Sequence, residues 1–277
     1  MKIKILYEDK NILAIDKPSG ILAHGDNKGK DPSISLRAGK TILDWAVGKY
    51  PKAQIAHRLD KETSGVMLIA KNEKAREFLK KQFSAPALEL KTKSGLADRQ
   101  DRINKTYVAI VSGWVKNDHG VINKPIGRSP SDFRRHLAGR GARGEMREAI
   151  TEYKVLKRFK AKTRKISLEG LSQADGPRVS ARRARRDSDP IKETFTSLPF
   201  SYLEIKPKTG RTHQIRVHMK FLNHPVVCDS LYDPKGFCPK GIKRLALHAY
   251  SIEFKDLKGK TIKVESKLPL EFKRVVK

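Results

Sequence analysis

In "IAHRLDKETSGVMLIAKN", residues 55–72, a polar, turn-prone run leads into five consecutive apolar residues. The run "VMLIA" shows no alternation, which predicts a strand buried on both faces. Just before it, an extended "HRLD" sets His57 and Leu59 on one face and Arg58 and Asp60 on the other. Asp60 then reaches a cleft beside a guanidinium. Taken alone, Asp60 reads first as an Asx-type cap of the turn "DKETSG", and Arg58 as a solvated surface charge.

Working outward, "IKILYED" and "NILAIDKP" predict two short strands before the stretch, closed by Pro18 and Gly20. "TILDWAVGKY" predicts a short helix ended by Pro51. Asn72 is placed to cap "EKAREFLKKQF", an amphipathic helix with Glu73 and Glu77 early and Lys80 and Lys81 late. Residues 84–104 have no clean period and read as a loop insertion. "KTYVAIVSGWV" then alternates strictly and places Tyr107, Ala109 and Val111 on one strand face. "NKPIGRSPSDFRRHLAGRGARGEMREA" is rich in Gly and Arg, a composition that packs poorly but reaches phosphates. "ITEYKVLKRF" and "FSYLEIKPKTGR" predict strands on either side of 172–193, a basic segment of low apolar content expected to be mobile. "THQIRVHMKFLNHP" carries Ile215, His218, Met219 and Leu222 at helical spacing, with Thr212 as the expected N-cap. "RLALHAYSIEF" and "TIKVESKLP" supply two last strands. Strands with a few interspersed helices indicate an α+β domain with a mixed, largely antiparallel sheet and flanking helices.

Composition narrows the function classes. The chain has 277 residues, 60 Lys and Arg against 30 Asp and Glu, and a formal charge of +30. That excess is far beyond what solubility requires and points to a polyanionic partner. No segment approaches the roughly 18 apolar residues of a spanning helix, and the N-terminus reads as neither signal nor transit peptide. No membrane partner and a cytoplasmic location are therefore expected. Cys228 and Cys238 are too few for a disulfide framework and read as ordinary core or surface residues.

A second constellation is "PKTGRTHQIRVHM", a strand, a turn at Gly210 and a helix start rich in donors. It is not a P-loop, yet the helix N-terminus and Arg211 suit a phosphate. His213 and Arg216, three apart, face the same side of a helix. His213 and His218, five apart, diverge on either a helix or a strand, so a metal pair fails on geometry. Read alone, these histidines are hydrogen-bonded structural residues.

Taken together, the motifs carry a resemblance. "DKPSG" (16–20), "HRLDKETSG" (57–65), "KTYVAIV" (105–111) and "TGRTHQIRVHM" (209–219), followed by "HPVVCDSLY" and "RLALHA", resemble the RluA-type RNA pseudouridine synthases over nearly the whole chain. The resemblance implies a pseudouridine synthase fold with a central RNA-binding cleft. It also implies one catalytic domain over 1–277, with loop insertions near 84–104 and 172–193. No N-terminal S4-type module is expected, because the catalytic strands begin at once.

By the same resemblance, Asp60 is the catalytic aspartate and Arg216 its ion-pair partner. Tyr107 stacks on the uracil, Arg58 fills the gap left by a flipped nucleotide, and Ile215 lines the base pocket. His57, Arg211 and His213 join the substrate-binding set. The reaction moves uracil from an N1 to a C5 link on C1′ without net redox change, so neither cofactor nor metal is implied. The implied partner is RNA, with ribosomal RNA ahead of tRNA, and the protein is expected to act as a monomer. The sequence departs from the family pattern in its two long insertions and in Cys228, where Gly is usual. The rival reading is a non-catalytic basic RNA-binding or ribosome-assembly protein. Composition supports it equally, but it explains neither Asp60 nor Tyr107.

Overall fold

The "SGVMLIA" run forms strand β4 (Ser64–Ala70), and every one of its residues is buried. The computed structural model, which describes residues 1–25, 41–84, 102–164 and 195–277, shows why alternation is missing there. β4 pairs antiparallel with β2 (Ile12–Lys17), and the two strands serve two cores at once. Ile12, Ala14, Val66 and Leu68 pack on one side against Ala75 and Leu79 of α2 (Glu73–Ser84). Leu13, Ile15, Met67 and Ile69 pack on the other against Ile42 and Ala46 of α1 (Ile42–Lys49). With helices on both faces, each position is apolar because each meets a core.

Both helices begin where their side chains can satisfy free backbone donors. Thr41 and Asp44 form a capping box at α1, with Thr41 N–H donating to Asp44 Oδ2 at 2.8 Å. Asn72 Oδ1 accepts from Ala75 N–H at 2.9 Å and caps α2.

The main sheet runs β1 (Lys4–Glu8), β2, β4, β12 (Leu247–Lys255), β5 (Asn104–Ser112), β11 (Phe195–Pro207), β10 (Ile150–Arg164), β6 (His119–Asn123). β3 (Gln54–Ile55) adds to β4, and β13 (Thr261–Glu265) to β12. β4 and β12 run parallel while the other pairs are antiparallel, so the sheet is mixed and largely antiparallel within an α+β fold. Gly65 sits at that parallel contact with φ +111°, and a Cβ there would lie 2.7 Å from the carbonyl carbon of Ala249. Beyond β5, Val108, Ile110, Phe200, Leu203, Ile215 and Met219 form a further core. α3 (Gln214–Phe221) and α4 (Leu270–Val276) supply helical residues to it.

Four features depart from the sequence reading. The Gly- and Arg-rich stretch is a small antiparallel sheet, with β7 (Ile126–Arg128) between β8 (His136–Ala138) and β9 (Arg143–Arg147). It holds because Ile126 and Ala149 pack on Val217 and Tyr232, while β9 is exposed throughout. The extended "HRLD" is not a strand: pairing ends at Ile55 of β3 and the chain bends at Ala56 and His57. Helix α4 was not anticipated; it starts at Pro269 without a side-chain cap, so the sequence gives no start signal of the usual kind. Cys228 and Cys238 are joined as a disulfide, their Cα atoms 5.3 Å apart. The insertion near 84–104 and the basic segment 172–193 lie largely or wholly outside the described residues.

Candidate active site

Leu59, 5% exposed, inserts into the core beside α1 and anchors the segment before β4. Its neighbours Arg58 and Asp60 are thereby left on the cleft side. The turn that follows closes through the backbone, with Thr63 N–H donating to the Asp60 carbonyl at 3.2 Å. The Asp60 carboxylate takes no part in that bond, which removes the basis for reading it as a cap.

The "DKPSG" loop pins the same turn from below. Lys17, fully buried, donates to the carbonyls of Pro18 (2.9 Å) and Lys61 (3.0 Å). Gly20 N–H donates to Lys61 O and Ser19 Oγ to Glu62 O. Burial draws the Lys17 ammonium down to about 8, opposed by the field of Asp60. Two motifs distant in the chain, whose contacts span 43 and 44 residues, therefore interlock to fix one carboxylate.

Helix α3 brings in the opposing groups. Its cap is His213, in the left-handed region at φ 55°, and not Thr212 as the sequence suggested. The physical reason lies in Gln214. Its buried amide accepts from Thr209 Oγ1 and Arg211 N–H, and donates to Ile150 O and Thr151 Oγ1. Those bonds fold "TGRTHQ" into a fixed loop without a Thr212 cap. His213 Nδ1 meets the Tyr232 hydroxyl at 3.0 Å, and its Nε2 lies 4.0 Å from Asp60 Oδ1. Burial pulls the His213 imidazole down, partly countered by Asp60, so its neutral form is favoured.

Arg216, 4% exposed, is the hub of the charges. Its Nη1 is 3.5 Å from Asp60 Oδ2, close enough for an ion pair. Its tightest partner is nevertheless Asp229, a residue the sequence reading did not select. Nε and Nη2 each bond a different Asp229 oxygen at 2.7 Å, the bidentate geometry that suits a guanidinium. Asp229 also accepts from the N–H groups of Leu231 and Tyr232, and Glu62 stands 3.8 Å from Arg216. Burial alone would lower the Arg216 guanidinium, but Asp229, then Asp60 and Glu62, raise it overall. The expected Arg216–Asp60 pair is thus the looser arm of a buried triad. An arginine on the buried face of an amphipathic helix was the available signal that a second acid must exist.

All eight residues selected from the sequence line one cleft of about 830 Å³. Tyr107 stands on β5 opposite Ala249 of β12 and Ile205 of β11, and packs against the core that holds Leu59. Burial, then Asp60, push its phenol well above the usual range, so it stays protonated. Ile215 is 6% exposed and belongs to both the cleft wall and the core. Arg58 is exposed, and Arg211 is tied through Nε to Glu148 O at 2.8 Å. His57 reaches the cleft, but Nε2 accepts from Leu68 N–H at 2.8 Å and its ring stacks on Phe83 at 4.4 Å. Burial, with Lys105 adding like charge, pulls its imidazole down to about 3. That is the setting of a scaffold residue, and the accepting Nε2 leaves no charge for a substrate. His218 is buried against Thr151 and Lys124 O, remote in direction from His213.

A family model described as RNA pseudouridylate synthase matches residues 11–221. A protein of Xanthomonas campestris pv. campestris named Ribosomal large subunit pseudouridine synthase D is 31% identical over 286 residues, covering 99% of this chain and 68% of that protein. An Uncharacterized RNA pseudouridine synthase of Aquifex aeolicus is 34% identical over 283 residues, covering 99% of this chain and 72% of that protein. Among solved structures, Human RNA Pseudouridylate Synthase Domain Containing 1 shares the fold with a TM-score of 0.61 at 20% identity, over 97% of this chain and 84% of that one. With the eight site residues gathered in one cleft and the family match spanning most of the sequence, the chain belongs to the RNA pseudouridylate synthase family.

Proposed function

We propose that this protein isomerises uridine to pseudouridine in large-subunit ribosomal RNA, with Asp60 as the essential group. The observation that carries the assignment is the Asp60 carboxylate, freed from its own turn and held in the cleft against Arg216, with His213 and Tyr107 around it. The ribosomal substrate is supported by the names of relatives such as the Xanthomonas campestris protein, and the charge of +30 suits a structured polyanion.

The residues divide the work. A uridine must leave its stack to enter the cleft, at a cost of a few kcal/mol. The exposed guanidinium of Arg58 takes the vacated place, and phosphate contacts by the basic surface offset the rest. The uracil ring lies between Tyr107 and Ile215. Asp60 acts on the ribose, either by bonding to C1′ or by removing a sugar proton, and the N1–C1′ bond breaks. The ring turns and C5 bonds to C1′ as the Asp60 carboxylate leaves that carbon, or returns the sugar proton it took; water in the cleft then accepts the C5 proton, and N1 gains one from solvent. Tyr107, held protonated, serves as a stacking platform rather than as a phenolate base. All these groups come from one chain, so a monomer suffices and the work belongs in the cytoplasm with the ribosome. Among the described residues no helix is long and apolar enough to cross a membrane.

The test is direct. The purified protein is incubated with a large-subunit rRNA transcript and pseudouridines are mapped, with Asp60→Ala in parallel. Wild type should modify defined uridines and the variant none. No product on ribosomal or transfer RNA, or an active Asp60→Ala, would end the proposal.

A further inference from the structure

Lys105 precedes Tyr107 by two positions on β5, so both side chains leave the same face of the strand and both line the cleft. Its surroundings are unusual for a cation. The ammonium lies 5.9 Å from the centre of the Phe83 ring, which is itself stacked on His57. His57 is held neutral by burial and by the bond from Leu68 N–H. A Cβ at Gly210 would come 3.7 Å from Lys105 Nζ, so the side-chain-free backbone of the loop before α3 passes close to the ammonium. Among the described residues no carboxylate or carbonyl pairs with this ammonium. Burial, and then the like charge of Arg102, draw it down to about 8.

The contrast with two other buried cations of the protein is informative. Lys17 is satisfied by two carbonyls, and Arg216 by three carboxylates. Burying a cation without a partner is costly unless an anion arrives during function. The strand advances about 7 Å between Lys105 and Tyr107, a reach comparable to that from a nucleobase to its own backbone.

Resting on the pseudouridine synthase reading, we propose that Lys105 and the bare backbone at Gly210 form a phosphate subsite. It grips one phosphodiester flanking the uridine bound over Asp60. The subsite orients the flipped nucleotide and carries no sequence information of its own.

The experiment uses the full chain and a large-subunit rRNA fragment containing a uridine that wild type modifies. Each linkage flanking that uridine is replaced in turn by a neutral methylphosphonate, and wild type is compared with Lys105→Met and Lys105→Arg. At one linkage, neutralisation should cost wild type on the order of tenfold in kcat/KM. Lys105→Met should lose about as much on natural RNA and then be insensitive to that linkage alone. Lys105→Arg should keep most of the activity, and the salt slope of binding by Lys105→Met should fall by about one phosphate, or 0.7 to 0.9. Thermal stability of Lys105→Met should equal or exceed that of wild type, because an apolar chain replaces a desolvated charge. The subsite is ruled out if the two losses multiply at every flanking linkage, or if Lys105→Met unfolds at markedly lower temperature. A wild type that modifies no RNA would instead overturn the underlying function.

Discussion

Asp229→Asn tests the electrostatic frame of the site most sharply. The substitution is nearly isosteric, and Asn Oδ1 can still accept from the N–H groups of Leu231 and Tyr232, so the turn should persist. What it removes is the charge facing Arg216 across two bonds of 2.7 Å, between side chains 5% and 0% exposed. Breaking a buried ion pair costs about 3–5 kcal/mol. Asp60 at 3.5 Å and Glu62 at 3.8 Å remain to offset part of this, which leaves about 2–4 kcal/mol. For a chain of this size each kcal/mol moves Tm by about 2–4 °C, so a fall of roughly 4–16 °C is expected. Turnover should fall as well, by more than about tenfold. A guanidinium released from Asp229 closes on Asp60 and ties up the carboxylate that must act on the ribose. Thermal unfolding followed by circular dichroism gives the first quantity. Tritium release from RNA labelled at uridine C5 gives the second, because isomerisation displaces that hydrogen. A variant with Tm within about 2 °C of wild type and full turnover would show that Asp229 does not hold Arg216 in place.

Two further outcomes follow from the fold. Gly65→Ala drives a methyl group into Ala249 across the β4–β12 contact at a φ that disfavours any side chain, and should cost more than about 3 kcal/mol with a loss of soluble yield; an unchanged melting temperature would contradict the strand contact. Acid should destabilise the protein well before its carboxylates titrate. His57 and His248 are held neutral by burial, down to about 3 and about 4, against about 6.5 in an unfolded chain. Above pH 6.5 neither contributes. As pH falls from there toward 4, the unfolded chain binds protons that the folded chain refuses, so stability drops by up to about 1.4 kcal/mol per pH unit for each group. Urea unfolding at pH 7, 6 and 5 measures this, and a flat profile would mean that these rings are not desolvated.

What the sequence made legible was whatever is written locally. The unbroken apolar run of β4 and the Asn72 cap each depend on neighbours within one element and are found as expected, whereas the alternation read around Tyr107 is not, because Val108, Ala109, Ile110 and Val111 of β5 are all buried. The approach of Asp60 to Arg216 was recoverable only because motif order identified the family, since no spacing rule links positions 156 residues apart. Asp229 was hidden for a related reason. It sits in "VVCDSLY", where an aspartate followed by two N–H donors looks like an ordinary turn cap, and it does cap that turn through Oδ1. Its second duty toward Arg216 depends on how α3 returns over the sheet.

Thr212 misled in the opposite direction. A threonine just before a helical stripe satisfies the capping rule, but the rule ranks only local acceptors. Here Gln214 supplies the acceptor from inside the first turn, while its amide nitrogen is committed to β10 at Ile150 O and Thr151. Had Thr212 capped the helix, His213 would have entered α3 in ordinary helical geometry. The left-handed start at φ 55° instead accompanies a ring that meets Tyr232 through Nδ1 and faces Asp60 through Nε2. A local rule is broken at the place where a side chain must be aimed, and the tertiary bonds of one buried glutamine hold the chain in the conformation that aims it.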